Sequence, residues 1–275
     1  MILTSSVPDG DGADAHAPGP AIAGPARTSP AEIDVFPVGR GGMPPHCPLC
    51  AGALEPVPGM PGHARHRSAR VAARCVLTTR QCQPDELAVR GLRDVRVAAR
   101  HRARFVEQWA RHYALVRRVW PAFTIGRFTT VLACADVQDL WSYPALRDDD
   151  LAAVLLALAG FMRVPDERAP DDPEPADDAV RWVRFWFEAS MRDVGDLWTA
   201  GADAPRFFRV DYRGTRATLF PTGAQVQAWQ PIGGMRDAWT QHDAAPSAEI
   251  TRSDHAAFAR FVAREPGQDG TLRGR

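Results

Sequence analysis

The chain has 275 residues with a hydrophobic share of 45%, enough for one large domain or two small ones with a packed core. Its 33 basic residues balance 33 acidic ones, and every basic residue is an arginine. The lack of lysine excludes a Walker-type phosphate loop, Schiff-base chemistry and any nuclease core that relies on a lysine; it also looks like a GC-rich coding bias, so arginine abundance alone is no functional signal.

Residues 1–45 hold 8 Pro and 7 Gly and few core-forming side chains beyond Ile33, Val35, Phe36 and Val38. They predict a disordered tail, with a partner-binding arm around Ile33-Asp34-Val35-Phe36 as the alternative. The first residues, Met1-Ile2-Leu3-Thr4-Ser5, lack the basic start and apolar run of a secretory signal. The longest apolar run, 151–162, is far short of the ~20 residues that span a bilayer. The expectation is a cytoplasmic protein with no membrane contact, in which closely spaced cysteines read as metal ligands rather than disulfides.

Residues 46–82 predict a Cys/His module. In His46-Cys47-Pro48-Leu49-Cys50, two cysteines separated by two residues form a knuckle that offers both thiolates to one tetrahedral ion, and Gly52 supplies freedom for the turn. Twelve residues then lead to His63-Ala64-Arg65-His66, and eight more to Cys75. Five candidates compete for four places. The set Cys47, Cys50, His63 and His66 has the gap of a Cys2His2 finger, but its histidines stand too close together, and Pro56, Pro58 and Pro61 forbid the finger helix. The preferred set is Cys47, Cys50, Cys75 and His66, with His63 as the alternate, holding one structural zinc. Cys82 is a reserve ligand and Cys134 a small buried hydrophobe.

Cys47-Pro48-Leu49-Cys50, His63-Ala64-Arg65-His66 and Cys75 together resemble the N-terminal zinc motif of CoiA-like competence proteins over about 30 residues. The resemblance implies a zinc-bearing hairpin in a bacterial type of protein and points toward nucleic-acid work. CoiA-like proteins carry a nuclease-like domain downstream; no such core is legible here, and no catalytic residue is carried across.

Residues 83–163 predict a helical region. In 93–120, Val95, Ala99, Val106, Trp109, Ala110, Tyr113, Val116 and Trp120 fall in one stripe, with Arg93, Arg96, Arg100, Arg104, Arg111 and Arg118 opposite and Pro121 as the stop. Arg102 and Arg117 fall inside the apolar stripe and need a rim position or a carboxylate. Further helices are predicted over 126–141 and 149–162, the latter with Asp148, Asp149 and Asp150 as cap and dipole partners. His101 and His112 need no special role. The segment 164–178, with 4 Pro and 7 acidic residues, reads as a solvated loop or linker.

Residues 179–265 predict three antiparallel strands, at 181–187, 207–212 and 224–229, although the first also matches helical spacing. A last helix fits 254–263, with Ser253 as its N-cap, and 266–275 forms a second disordered tail. The fold class is therefore α+β: a zinc-bearing hairpin module, a helical middle region and a small antiparallel C-terminal sheet. Between His63 and Trp120, 14 arginines face 4 acidic residues, whereas 135–204 reverses this with 16 acidic residues and 6 arginines. The asymmetry predicts either DNA or RNA as a partner of the arginine stripe, or an acidic protein surface, the chain's own acidic half included. No nucleophile elbow, metalloprotease motif or phosphate loop is present, so enzymatic activity is not expected.

Overall fold

A computed structural model of the chain describes residues 35–37, 44–47, 49–78, 87–91, 94–164, 179–188, 190–199, 205–215, 218, 220–240 and 250–263. The architecture is α+β, with the helices central and a four-stranded antiparallel sheet toward the C-terminus. No described helix is long and apolar enough to cross a membrane.

Three short strands open the structure: Val35–Pro37 (β1), Leu54–Pro56 (β2) and His63–His66 (β3), in the order β1-β3-β2, all antiparallel. Val35 and Phe36, read as part of the tail, thus pair with Arg65 and Ala64 of β3; residues 1–34 lie outside the described residues. A one-turn helix, Ala69–Ala72 (α1), follows β3.

The long helix runs Val95–Val119 (α2). The Asp94 carboxylate accepts from the amides of Arg96 and Val97, which fixes its start, and Pro121 follows its end. Its buried face is turned from the predicted stripe. Val95 is 79% exposed and Ala99 lies open, while His101, Phe105 and His112 are buried beside Trp109, Tyr113 and Val116. The two histidines read as polar in sequence, yet each packs as a flat ring: His112 stacks between Phe105 and Trp239 at 4.7 and 4.6 Å, and His101 Nδ1 meets the Trp141 carbonyl at 3.0 Å.

Ile125–Val137 (α3) is capped by Thr124 and ends four residues before the predicted limit, where Asp139 takes a left-handed φ of 57° and starts a 3-10 turn over Leu140–Ser142. Its buried positions, Phe128, Val131, Leu132 and Ala135, leave Cys134 exposed rather than buried as expected. Asp148–Leu158 (α4) stops at Ala159 and Gly160, and the chain then enters Met162–Arg163 (β4). The N-cap of α4 is Arg147, so the three aspartates form its first turn; each also pairs with an arginine, Asp148 with Arg104, Asp149 with Arg147 and buried Asp150 with Arg236.

The aromatic segment is a strand, Ala179–Phe187 (β5), paired along its length with Phe207–Thr215 (β6), which in turn pairs with Val226–Ile232 (β7) in the order β4-β5-β6-β7. Between them lies Asp196–Thr199 (α5), and after them Met235–Thr240 (α6) and Arg252–Val262 (α7). The cap of α7 is Thr251, in a reciprocal box with Asp254, and not Ser253: only Thr251 stands three residues before an acid that reaches back to its amide.

Strand alternation gives the sheet two different faces. Val183, Phe185 and Phe207 join the helices in the larger core. Trp182, Trp186, Phe208, Val210 and Tyr212 point the other way and pack on Cys47, Leu49, Leu54, Ala64, Cys75 and Leu77. The sheet is therefore the middle layer, with helices on one side and the cysteine-bearing hairpins on the other.

Candidate metal centre

The cysteine knuckle is a tight hairpin. His46 bridges Ala53, the Cys47 amide donates to the Gly52 carbonyl, and the Ala51 amide donates to the Cys47 carbonyl, each backbone bond at 2.8 Å. Ala51, not the glycine beside it, adopts the left-handed φ of 58°. Gly52 is required for space instead. A Cβ there would stand 2.4 Å from Val71 Cγ1 and 3.0 Å from the His66 ring, so the missing side chain lets the knuckle close on the second ligand hairpin.

The remaining ligands come from two neighbouring elements. His66 ends β3, and Cys75 follows α1, its amide donating to the carbonyls of Val71 and Ala72. The Sγ atoms of Cys47, Cys50 and Cys75 and a ring nitrogen of His66 all lie within 4.8 Å of one another. Cys47 Sγ and Cys75 Sγ are 3.8 Å apart, and Cys50 Sγ is 3.1 Å from His66 Nε2. Zn–S bonds of about 2.3 Å in a tetrahedron place two sulfurs about 3.8 Å apart, so the sulfur pair already stands at that edge length. This Cys3His cluster could hold a metal ion such as zinc.

The histidine is oriented from behind. His66 Nδ1 lies 3.5 Å from Thr78 Oγ1, and that hydroxyl donates to the Ala72 carbonyl at 2.7 Å. The hydroxyl proton is committed to Ala72, so its oxygen accepts from Nδ1–H. In that tautomer the Nε2 lone pair faces the sulfurs, the arrangement that supports a metal-bound imidazole.

Electrostatics within the cluster point the same way. Cys50 is held far below an ordinary thiol because its sulfur accepts from the Cys47 and Cys75 thiols and from the Gly52 amide. Cys47 is pushed up to about 12, chiefly by donating to Cys50. Cys75 is raised well above the ordinary thiol range by Cys47, Cys50 and burial. The three sulfurs compete for charge in so close a space; a divalent cation at their centre lets all three ionise.

His63, the alternate ligand, sits apart, with its Nδ1 3.3 Å from the Pro61 carbonyl. Alternation along β3 explains the selection: His66 faces the knuckle and is 4% exposed, whereas His63, three positions away, turns to the other side. Cys82 lies outside the described residues. Thr78 carries no signal in the sequence because a threonine twelve residues from its partner forms no local pattern; only the fold brings it behind the ring.

The arginine stripe is divided. Arg104 pairs with Asp148 at 2.9 Å, and Arg102 with Asp136 at 2.8 Å. Arg111 lies 3.8 Å over the Trp239 ring and donates to the Trp239 carbonyl. Arg96, Arg100 and Arg118 are exposed, and Arg93 lies outside the described residues. Comparison of the chain with protein-family models, with curated proteins and with solved structures finds no match. The likeness to the CoiA-like motif therefore stands on the cluster residues alone.

Proposed function

We propose that the chain is a zinc-binding protein whose ion is structural, bound by Cys47, Cys50, His66 and Cys75, and that it acts by binding a partner rather than by catalysis. The observation that carries this reading is the convergence of four soft or borderline donors within 4.8 Å. Four protein ligands close a tetrahedral zinc and leave no position for water or substrate. Cys47, His66 and Cys75 are each at most 4% exposed, and the one carboxylate of the module, Glu55, is held by Arg65 at 2.6 Å. Three thiolates and a neutral imidazole give the loaded centre a formal charge of −1, and binding releases thiol protons.

The ion's task follows from what it joins. It ties the knuckle, the end of β3 and the segment after α1, which are the three parts that press on Trp182, Trp186, Phe208 and Tyr212. Protein purified without chelator should contain about one zinc per chain by elemental analysis, and Cys50→Ser should abolish that stoichiometry. Wild-type protein free of transition metal would overturn the reading.

For the partner, DNA or RNA is favoured by exposed arginines without carboxylates, among them Arg96, Arg100 and Arg118. The competing reading, an acidic protein surface, is favoured by Arg104 of the stripe, which already meets Asp148 of the same chain. Nucleic-acid binding would weaken steeply with salt, since each neutralised phosphate releases counterions.

A further inference from the structure

The ligands His66 and Cys75 bracket one short segment. The eight residues between them contain Arg67, Arg70 and Arg74. All three side chains are exposed, and none forms an ion pair or hydrogen bond with a described residue. Across residues 44–78 the chain has four arginines and a single carboxylate, Glu55, which Arg65 already holds. The module is thus basic even after the centre's formal −1, and its unmatched charge is concentrated on 67–74.

We propose that residues 67–74 form a contact surface for the phosphate backbone of a nucleic acid, held in shape at both ends by the metal centre; this rests on the zinc reading above. Arg70 lies within α1, and Arg74 follows directly after its cap Ala73. Arg67 stands three residues before Arg70, beside the ligand His66, and Arg74 adjoins the ligand Cys75. A one-turn helix flanked closely by like charges is unstable alone. Here its ends are pinned, so the repulsion is kept and an anion relieves it.

The surroundings favour phosphates over an acidic protein. The exposed neighbours of these arginines are Ser68, Ala69 and Ala73. Protein interfaces draw their affinity from aromatic or large apolar anchors seated in pockets, and this surface offers none. Guanidinium groups suit phosphate oxygens, which they grip with two parallel bonds. With no aromatic or amide side chain among 67–74 to read a base edge, the contact is sequence-independent. The arginine stripe of α2 is a weaker candidate, because Arg104 and Arg111 are engaged within the chain.

The test uses the full zinc-loaded chain and fluorescence anisotropy with a labelled DNA duplex, a DNA single strand and an RNA strand, beside a labelled polyglutamate peptide, at two salt concentrations. Wild type should bind the nucleic acids, and the triple change R67Q/R70Q/R74Q should weaken this at least tenfold at low salt. The same change should reduce the salt slope on duplex by up to about 3, one for each lost phosphate contact. R96Q/R100Q/R118Q on α2 should alter affinity less than threefold. Zinc content is measured on every variant, and the single changes R70Q and R74Q serve if the triple variant loses its metal. Metal removal with a chelator should weaken binding as much as the triple change does. The inference is overturned if zinc-loaded wild type binds no nucleic acid, if the α2 variant carries the loss, if polyglutamate binds more tightly than the nucleic acids, or if metal-free protein binds equally well. The first of these leaves the zinc reading intact; only a metal-free wild type removes that reading as well.

Discussion

The two faces of the C-terminal sheet are covered in different ways. On the helical side, thirty buried residues form one cluster, with Phe105, Phe128, Leu132, Leu151 and Leu155 wholly enclosed. That is an ordinary core, sufficient to hold its layer by burial alone. On the other side the corresponding cluster has eleven described buried residues, of which the hairpins contribute six, Cys47 and Cys75 among them. Leu49, Leu54, Ala64 and Leu77 are too few to order a segment of this length against its chain entropy. On the proposed zinc reading, the same sheet supports one layer held by apolar packing and one that depends on its ion.

The largest effect expected from this contrast comes from Cys75→Ser. Structural zinc contributes on the order of 10 kcal/mol to the fold of such small modules, so the variant should lose its metal and release the hairpins from the sheet. Trp182 and Trp186 would then meet water, giving a red-shifted emission, while the far-ultraviolet helix signal stays within a few per cent of wild type. Loss of the helix signal together with the zinc would show that the two layers are one cooperative unit.

Phe128→Ala should do the reverse. Truncating this fully buried ring should cost about 3–5 kcal/mol of the helical transition in urea and leave one zinc per chain. A change in metal content would contradict the separation of the layers.

Acid should also act on the helical side, through His112. Its ring is fully enclosed, and burial, with Arg111 and Arg104 adding repulsion, lowers its pKa to about 3. Neither ring nitrogen bonds a described residue. The folded state keeps the imidazole neutral, whereas the unfolded chain takes up a proton below about pH 6.5. The contribution is therefore complete above pH 6.5 and is lost as the pH falls toward 3, at up to about 1.4 kcal/mol per pH unit. His112→Phe, which keeps a flat ring between Phe105 and Trp239, should flatten the helical transition between pH 6.5 and 4. Identical pH profiles for the two proteins would refute this account of the buried ring.

The smallest effect concerns the partner of the histidine ligand. Thr78→Val preserves shape but removes the acceptor of His66 Nδ1–H. It should weaken zinc binding about 10–100-fold in a chelator competition, with the helical transition unmoved. An unchanged affinity would mean that packing alone orients the ring.

Much of this arrangement was legible in the sequence. The spacing of Cys47, Cys50, His66 and Cys75 marked the cluster, because zinc knuckles are built from local turns. The long helix and the strands within β6 and β7 followed from hydrophobic period, whereas 181–187 within β5 matched helical spacing as well as a strand. The burial of His101 and His112 was not legible, since a histidine scores as polar unless its neighbours are known. Cys134 misled in the other direction: its helix is apolar enough that the buried side cannot be told from composition.

What the sequence alone determined was a short list of donors, the approximate extent of the elements and the uneven charge, all properties set within a few residues or by simple counting. The tertiary structure decided the rest. It selected His66 over His63 by strand alternation, gave Gly52 its reason in the closeness of Val71 and the His66 ring, and placed Thr78 behind the imidazole. It also sorted the arginines, joining Arg102 to Asp136 and Arg104 to Asp148 across 34 and 44 residues of chain, while Arg67, Arg70 and Arg74 were left facing water. Pairing across such distances depends on which surfaces the packed layers bring together, and no local pattern encodes that choice.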